Sequence, residues 1–209
     1  MRKKPSQQRS RQMVDVLVDA TAKTIAERGL ADTTTNHIAA RAGVSVGSLY
    51  QYFDGKDALV NALLDRISTE LAQLVDRELT RLMDADPRTA TRGLLTAVFD
   101  FMEQGDRAYL ELMRHWQQLR VGKSFAAIER HMLEACRQYL LRHHSELRVQ
   151  NLPAALFVVI SGTLYTVMHY LNQPRPFLKR EEVIDALSAM IAAYVRSAQE
   201  QPRKTRRPH

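Results

Sequence analysis

At 209 residues, with 45% hydrophobic and 25% charged side chains, the chain can form one large domain or a small domain joined to a medium one. Lys and Arg outnumber Asp and Glu 30 to 23, a formal net charge of +7 that favours a polyanionic partner without dictating a fold. Cys136 is the single cysteine, which excludes an intrachain disulfide scaffold. The basic start Arg2-Lys3-Lys4 runs on into Gln7, Gln8, Arg9, Ser10 and Arg11 rather than an apolar stretch, so no secretory signal is read and a cytoplasmic location is expected.

The first helix is expected from Arg9 to Arg28, where Val14, Leu17, Thr21 and Ile25 recur on one face and Gly29 supplies a left-handed stop. Arg2, Lys3, Lys4, Arg9 and Arg11 precede the first acid and read as a solvated basic arm. Thr34 or Thr35 can cap a second helix running to Ala42. Gly43-Val44-Ser45 then turns the chain, and Ser45 can cap a short third helix through Tyr52. Asp54-Gly55 breaks that helix, and Lys56 opens a long fourth one with Leu59, Leu63, Ile67, Leu71, Leu74 and Leu82 inward. Asp86 as cap and Pro87 at the first helical position begin the fifth.

Further breaks are predicted at Gly105-Asp106 and at Gly122 to Ser124, followed by the stripe Phe125, Ile128, Met132, Cys136 and Tyr139. Asn151-Leu152-Pro153 opens an apolar helix to Leu171. Ser161, Thr163, Thr166 and His169 mark it as a buried helix of a soluble protein rather than a membrane span. Glu181 and Glu182 stand in the first turn of the last helix, where they complement its dipole. The fold class is therefore all-α, with about nine helices. The expected domains are a helix-turn-helix unit with its basic arm at 1–53, a larger helical body at 54–199, and a basic, disordered tail at 200–209.

The informative stretch is Thr34 to Phe53, TTNHIAARAGVSVGSLYQYF. Ala39 is small where two helices must pack closely, and Gly43 supplies backbone freedom for the turn. Ile38, Val44, Leu49 and Phe53 hold the pair together, leaving Val46, Gly47, Ser48, Tyr50, Gln51 and Tyr52 outward. That outward set suits DNA. Ser48 and both tyrosines can donate to phosphate oxygens, Gly47 admits close approach, and the Gln51 amide can pair with adenine in the major groove. Lys56, with the free N–H groups of its helix start, favours a phosphate, as does Thr35.

This stretch, with the preceding IAERG and the following DGKDALV, resembles the N-terminal domain of the TetR family of transcriptional regulators. The resemblance implies phosphate contacts from Thr35, Ser48, Tyr50, Tyr52 and Lys56, and base contacts around Val46, Gly47 and Gln51. Many members have Lys where this chain has Val46, so either a phosphate contact is missing there or an apolar touch on a thymine methyl takes its place. It also implies a homodimer on double-stranded DNA, reading a near-palindromic operator with two helices about 34 Å apart. A small-molecule effector in the body would shift the fourth helix and release the DNA.

The last two long helices are too apolar for plain surface helices and are the expected dimer face, with Ser161, Gly162 and Thr163 permitting close approach. Phe99, Met102, Tyr109, Met113, Trp116, Tyr139, Tyr165 and His169 are candidates to line an effector pocket. An enzyme is disfavoured: no phosphate loop or nucleophile elbow occurs, and His143-His144 are adjacent rather than on one helical face. No cofactor, metal or membrane partner is expected. The competing reading is a helical scaffold or membrane-surface protein that binds polyanions without sequence preference.

Overall fold

The computed structural model describes residues 5–104, 107–115, 122–143, 151–173 and 175–197. Among these residues are nine α-helices and no strand. They are α1 (Pro5–Arg28), α2 (Thr35–Ala42), α3 (Val46–Tyr50), α4 (Lys56–Arg81), α5 (Pro87–Gln104), α6 (Arg107–Arg114), α7 (Gly122–Arg142), α8 (Leu152–Leu171) and α9 (Arg180–Ser197).

Local chemistry explains most of the ends. Thr34 accepts from the His37 amide at the start of α2, and Ser45 accepts from the Ser48 amide at the start of α3. Asn151 does the same for Ala154 at the start of α8, where Pro153 occupies the first turn without losing a hydrogen bond. Gly29, at φ 79°, ends α1 in the left-handed region.

The basic arm is shorter than expected, because α1 begins at Pro5 and carries Arg9 and Arg11 as exposed helical residues. Arg2, Lys3 and Lys4, the Gly105-Asp106 break and the 200–209 tail lie outside the described residues. Gly122 is the first residue of α7 rather than part of a break. The third helix stops at Tyr50, two residues early, with Gln51 as its C-cap.

Packing groups the chain into two units. One comprises Met1–Gln73 and Phe99–Ile128, the other Leu74–Val98 and Glu129–His209. Helices α4, α5 and α7 each contribute residues to both units. In the first unit, Leu17, Ala20, Ile38, Ala39, Leu49 and Leu59 form a buried cluster that joins α1, α2, α3 and the start of α4. In the second, Val75, Leu79 and Leu94 pack with Met132 and Cys136, and Leu82, Ala90 and Tyr139 form a neighbouring cluster.

Asp86 caps α5, accepting from the Arg88 amide at 3.0 Å, the Thr89 amide at 3.3 Å and the Thr89 hydroxyl at 2.5 Å. The Thr89 hydroxyl, followed by those amides and the Arg196 charge, holds the Asp86 carboxyl below its ordinary value. A depressed folded-state pKa stabilises above the unfolded carboxylate range and loses that contribution as the pH falls through it. Asp86→Ala should therefore lower stability by about 1 kcal/mol at pH 7. In urea titrations the gap between the two proteins should narrow toward pH 3.

Candidate nucleic-acid interface

The turn between α2 and α3 is built by backbone hydrogen bonds that only a left-handed residue permits. The Val44 amide donates to the Ala39 carbonyl at 3.0 Å and the Gly43 amide to the Ala40 carbonyl at 3.2 Å, with Gly43 at φ 69°. This is the Schellman arrangement, which closes a helix and reverses the chain at once. The five residues of α3 are too few to be stable alone. Leu49, fully buried in the cluster with Leu17, Ile38 and Leu59, fixes the helix in place. Burying Leu49 decides which residues α3 leaves outward.

Tyr50 is 52% exposed and Tyr52 37% exposed, and Gly47 and Gln51 are exposed beside them. The Thr35 and Tyr50 hydroxyls lie 3.4 Å apart, so the start of α2 and the end of α3 bring two hydroxyls to one place. Ser48 is half-buried, its hydroxyl 2.9 Å from that of the cap residue Ser45. A Cβ added at Gly47 would meet only the Ser45 hydroxyl, at 3.9 Å, so folding does not require glycine there.

Two expected contacts are placed differently. Val46 is not outward: it is half-buried and packs against the Leu17–Leu49 cluster, because the first turn of α3 lies against that core. Lys56 donates from Nζ to the Leu30 carbonyl at 2.5 Å and the Ala31 carbonyl at 3.3 Å. Its ammonium thus ties the start of α4 to the chain leaving α1.

Helix α6 belongs to the same unit and reaches the same junction. Glu111 Oε1 accepts from the Leu30 amide at 3.3 Å, and a Cβ at Gly29 would stand 3.2 Å from that oxygen. The Leu30 backbone is held by Glu111 at its N–H and by Lys56 at its carbonyl. Sequence reasoning missed Glu111, since one carboxylate on a polar helix carries no periodic signal.

The pocket candidates separate. Phe99, Met102 and Tyr109 are buried in the first unit, where the Tyr109 hydroxyl donates to Glu70 at 2.9 Å and its ring meets Phe101 at 5.5 Å. Met113's side chain and all of Trp116 lie outside the described residues. In the second unit a cavity of about 130 Å³ is lined by α5, α7, α8 and α9 with Leu79 of α4, and among the described residues Tyr139 is the one candidate on its wall. Tyr165 and His169 do not reach it. They stand on the opposite side of α8 from Leu156, Ile160 and Thr163, stacked 6.0 Å apart, with Tyr165 64% exposed. Cys136 is also on the cavity wall, and burial pushes its thiol up to about 11, which leaves it neutral and inert. Among the described residues no cluster of three or more His, Cys, Asp or Glu could hold a metal ion.

A turn of this geometry, a buried peg behind it and an outward row of hydroxyls and an amide define a helix-turn-helix DNA-binding unit. Residues 17–63 match the family described as bacterial regulatory proteins, tetR family. The transcriptional regulator BetI of Paraburkholderia xenovorans is 40% identical over 84 residues, covering 40% of this chain and 43% of that one. The chain thus spans less than half the length of that relative. A tetR-family regulator from Streptomyces coelicolor shares the fold with a TM-score of 0.64 at 22% identity, covering 90% of this chain and 85% of that one. SmeT, described as the repressor of the Stenotrophomonas maltophilia multidrug efflux pump SmeDEF, does so with a TM-score of 0.67 at 21% identity, over 94% and 96%. Residues 17–63 thus resemble the DNA-binding segment of the tetR family, and the chain as a whole shares the fold of these regulators.

Two glycines should respond oppositely. Gly43→Ala forces a side chain into the left-handed region and should cost about 1–2 kcal/mol. Gly47→Ala, in an open helical position, should be neutral or stabilising by up to about 1 kcal/mol. Thermal unfolding followed by circular dichroism reads both.

Proposed function

We propose that the protein is a homodimeric transcriptional regulator, a repressor that leaves a near-palindromic operator when its helical body takes up a small molecule. The observation that carries the DNA reading is the α2–α3 pair, with Thr35 and Tyr50 hydroxyls together and Gly47 and Gln51 open beside them. Tyr50, Tyr52, Thr35 and Ser48 are assigned to phosphates, and Gln51, at the end of α3, to a base edge. Val46 serves packing first, and Lys56 reaches DNA only with the ammonium hydrogen left over from two carbonyls.

The dimer reading rests on α8 and α9. Helix α8 is long and apolar enough to cross a membrane, by length and composition. Only one side of it is buried within the chain, by Ala155, Leu156, Ile160 and Val167. Phe157, Val158 and Tyr165 are 61%, 59% and 64% exposed on it, with Met190 and Tyr194 of α9 at 55% and 44%. A large exposed apolar patch calls for a covering surface, and a second copy supplies it by two-fold symmetry. Nothing lies within 4 Å of a Cβ at Gly162, which suits close approach, whereas Thr163 turns toward the cavity. Action on DNA places the protein in the cytoplasm, and the reading needs no catalysis or cofactor.

Fluorescence anisotropy on the DNA upstream of its own gene, against scrambled DNA at near-physiological salt, should show a preference of about a thousandfold or more. Equal, weak binding there and no enriched motif in a random-site selection would replace the regulator reading with the scaffold. Tyr50→Phe should weaken binding to all sequences alike. Gln51→Ala should lose about 1–3 kcal/mol of discrimination at particular base pairs. Phe157→Glu should convert the dimer to monomer in sedimentation.

A further inference from the structure

The cavity of the second unit has a wall chemistry that narrows what it can hold. Among the described residues, no Asp, Glu, Lys, Arg or His lines it. The wall is hydrocarbon from Leu94, Leu95, Leu156, Ile160 and their neighbours, interrupted by Thr91, Cys136, Tyr139 and Thr163. Two of these polar groups are accounted for. The Tyr139 hydroxyl donates to the Ala85 carbonyl at 2.5 Å, and the Cys136 thiol is held neutral by burial.

Thr163 is different. Its Oγ1 is buried and makes no hydrogen bond. Hydroxyls elsewhere in these helices solve the same problem within their own turn. Thr21, Thr24 and Ser188, all buried, donate to the carbonyl four residues back at 2.7, 2.6 and 2.6 Å. Thr166, one turn along α8 from Thr163, does so at 2.8 Å. A buried hydroxyl without a partner is unfavourable and uncommon in a native structure. Here it sits on the wall of an otherwise apolar cavity, where a guest could supply the missing bond.

We infer that this cavity binds a small, uncharged, largely hydrocarbon molecule of about one ring, held by a single hydrogen bond to Thr163. Charge is excluded because an ion entering would shed its water and meet no counter-charge. Size follows from the 130 Å³ volume, since apolar cavities of about 150 Å³ stay dry and accept a benzene-sized guest. The inference names the chemical class of the effector and so rests on the ligand-released reading above.

The test uses the full chain and three probes of one shape: p-cresol, p-xylene and 4-methylbenzoate. Calorimetry gives the affinities, and methyl resonances of Ile160 and Ile191, both on the wall, report the site. Both neutral probes should bind and move those resonances, and 4-methylbenzoate should bind at least about a hundredfold more weakly. The p-cresol to p-xylene affinity ratio should fall by roughly threefold to tenfold in Thr163→Val and hold in Thr163→Ser. Failure of both neutral probes, or comparable binding of the benzoate, overturns the inference. An unchanged ratio in Thr163→Val overturns the role of Thr163, and the probe comparison on the unaltered chain stands even if that variant does not fold. Operator affinity is measured separately. Probe binding that leaves DNA affinity unchanged removes the release mechanism and keeps the ligand class, whereas intact operator binding with no probe bound does the reverse.

Discussion

Five residues cannot make a helix that survives alone, yet α3 must present its outward atoms in fixed positions. The constraint is met by burying Leu49 completely among residues of α1, α2 and α4. Once Leu49 is inside, the helical repeat puts Gly47, Tyr50 and Gln51 outside, and the Schellman turn at Gly43 sets the direction from which α3 arrives. The same burial draws Val46 inward, so the reading surface is narrower than the count of residues in α3 suggests. Removing the Leu49 side chain would cost about 2–5 kcal/mol and would take the outward set with it, because nothing else ties α3 as firmly.

Helix α8 divides its labour by face. One side packs inward and lines a cavity, the other carries Phe157, Val158 and Tyr165 into the open. Both sides are apolar, which is why the helix is hydrophobic along its whole length yet only partly covered within one chain. A surface and a cavity sharing a single helix are mechanically close, since a rotation that fills one alters the other. The stacked pair Tyr165 and His169 and the unpaired Thr163 stand on opposite sides of the same two turns.

Elements governed by nearest-neighbour chemistry were legible in the sequence. Ser45 and Asp86 cap the helices they were expected to cap, Thr34 rather than Thr35 caps α2, the segment expected to open α8 does so with Asn151 as its cap, and Gly29 and Gly43 occupy the left-handed region where a stop and a turn were needed. Rotational phase was harder to read. Val46 packs half-buried against the core, on a helix of five residues too short to show a periodic stripe, and Tyr165 and His169 lie on the outer face of α8, whose apolar surface gives no polar stripe from which to set the phase. Contacts made across the chain were not legible at all. Tyr109 packs within the first unit through Glu70, and Tyr139 within the second through Ala85. Nothing in the spacing of those tyrosines separates the two.

The clasp at Leu30 has an asymmetric vulnerability. Its donor is a backbone N–H and its second attachment a backbone carbonyl, so the identity of the side chain at that position is irrelevant to both hydrogen bonds. Drift at residue 30 can therefore exchange one apolar side chain for another without loosening α6 or α4 from the end of α1, and only proline would remove the donor. The partners have no such latitude. Glu111 and Lys56 each hold the Leu30 backbone by one polar group at the end of a flexible side chain, so the specificity of the junction is written on α6 and α4 and is silent at residue 30.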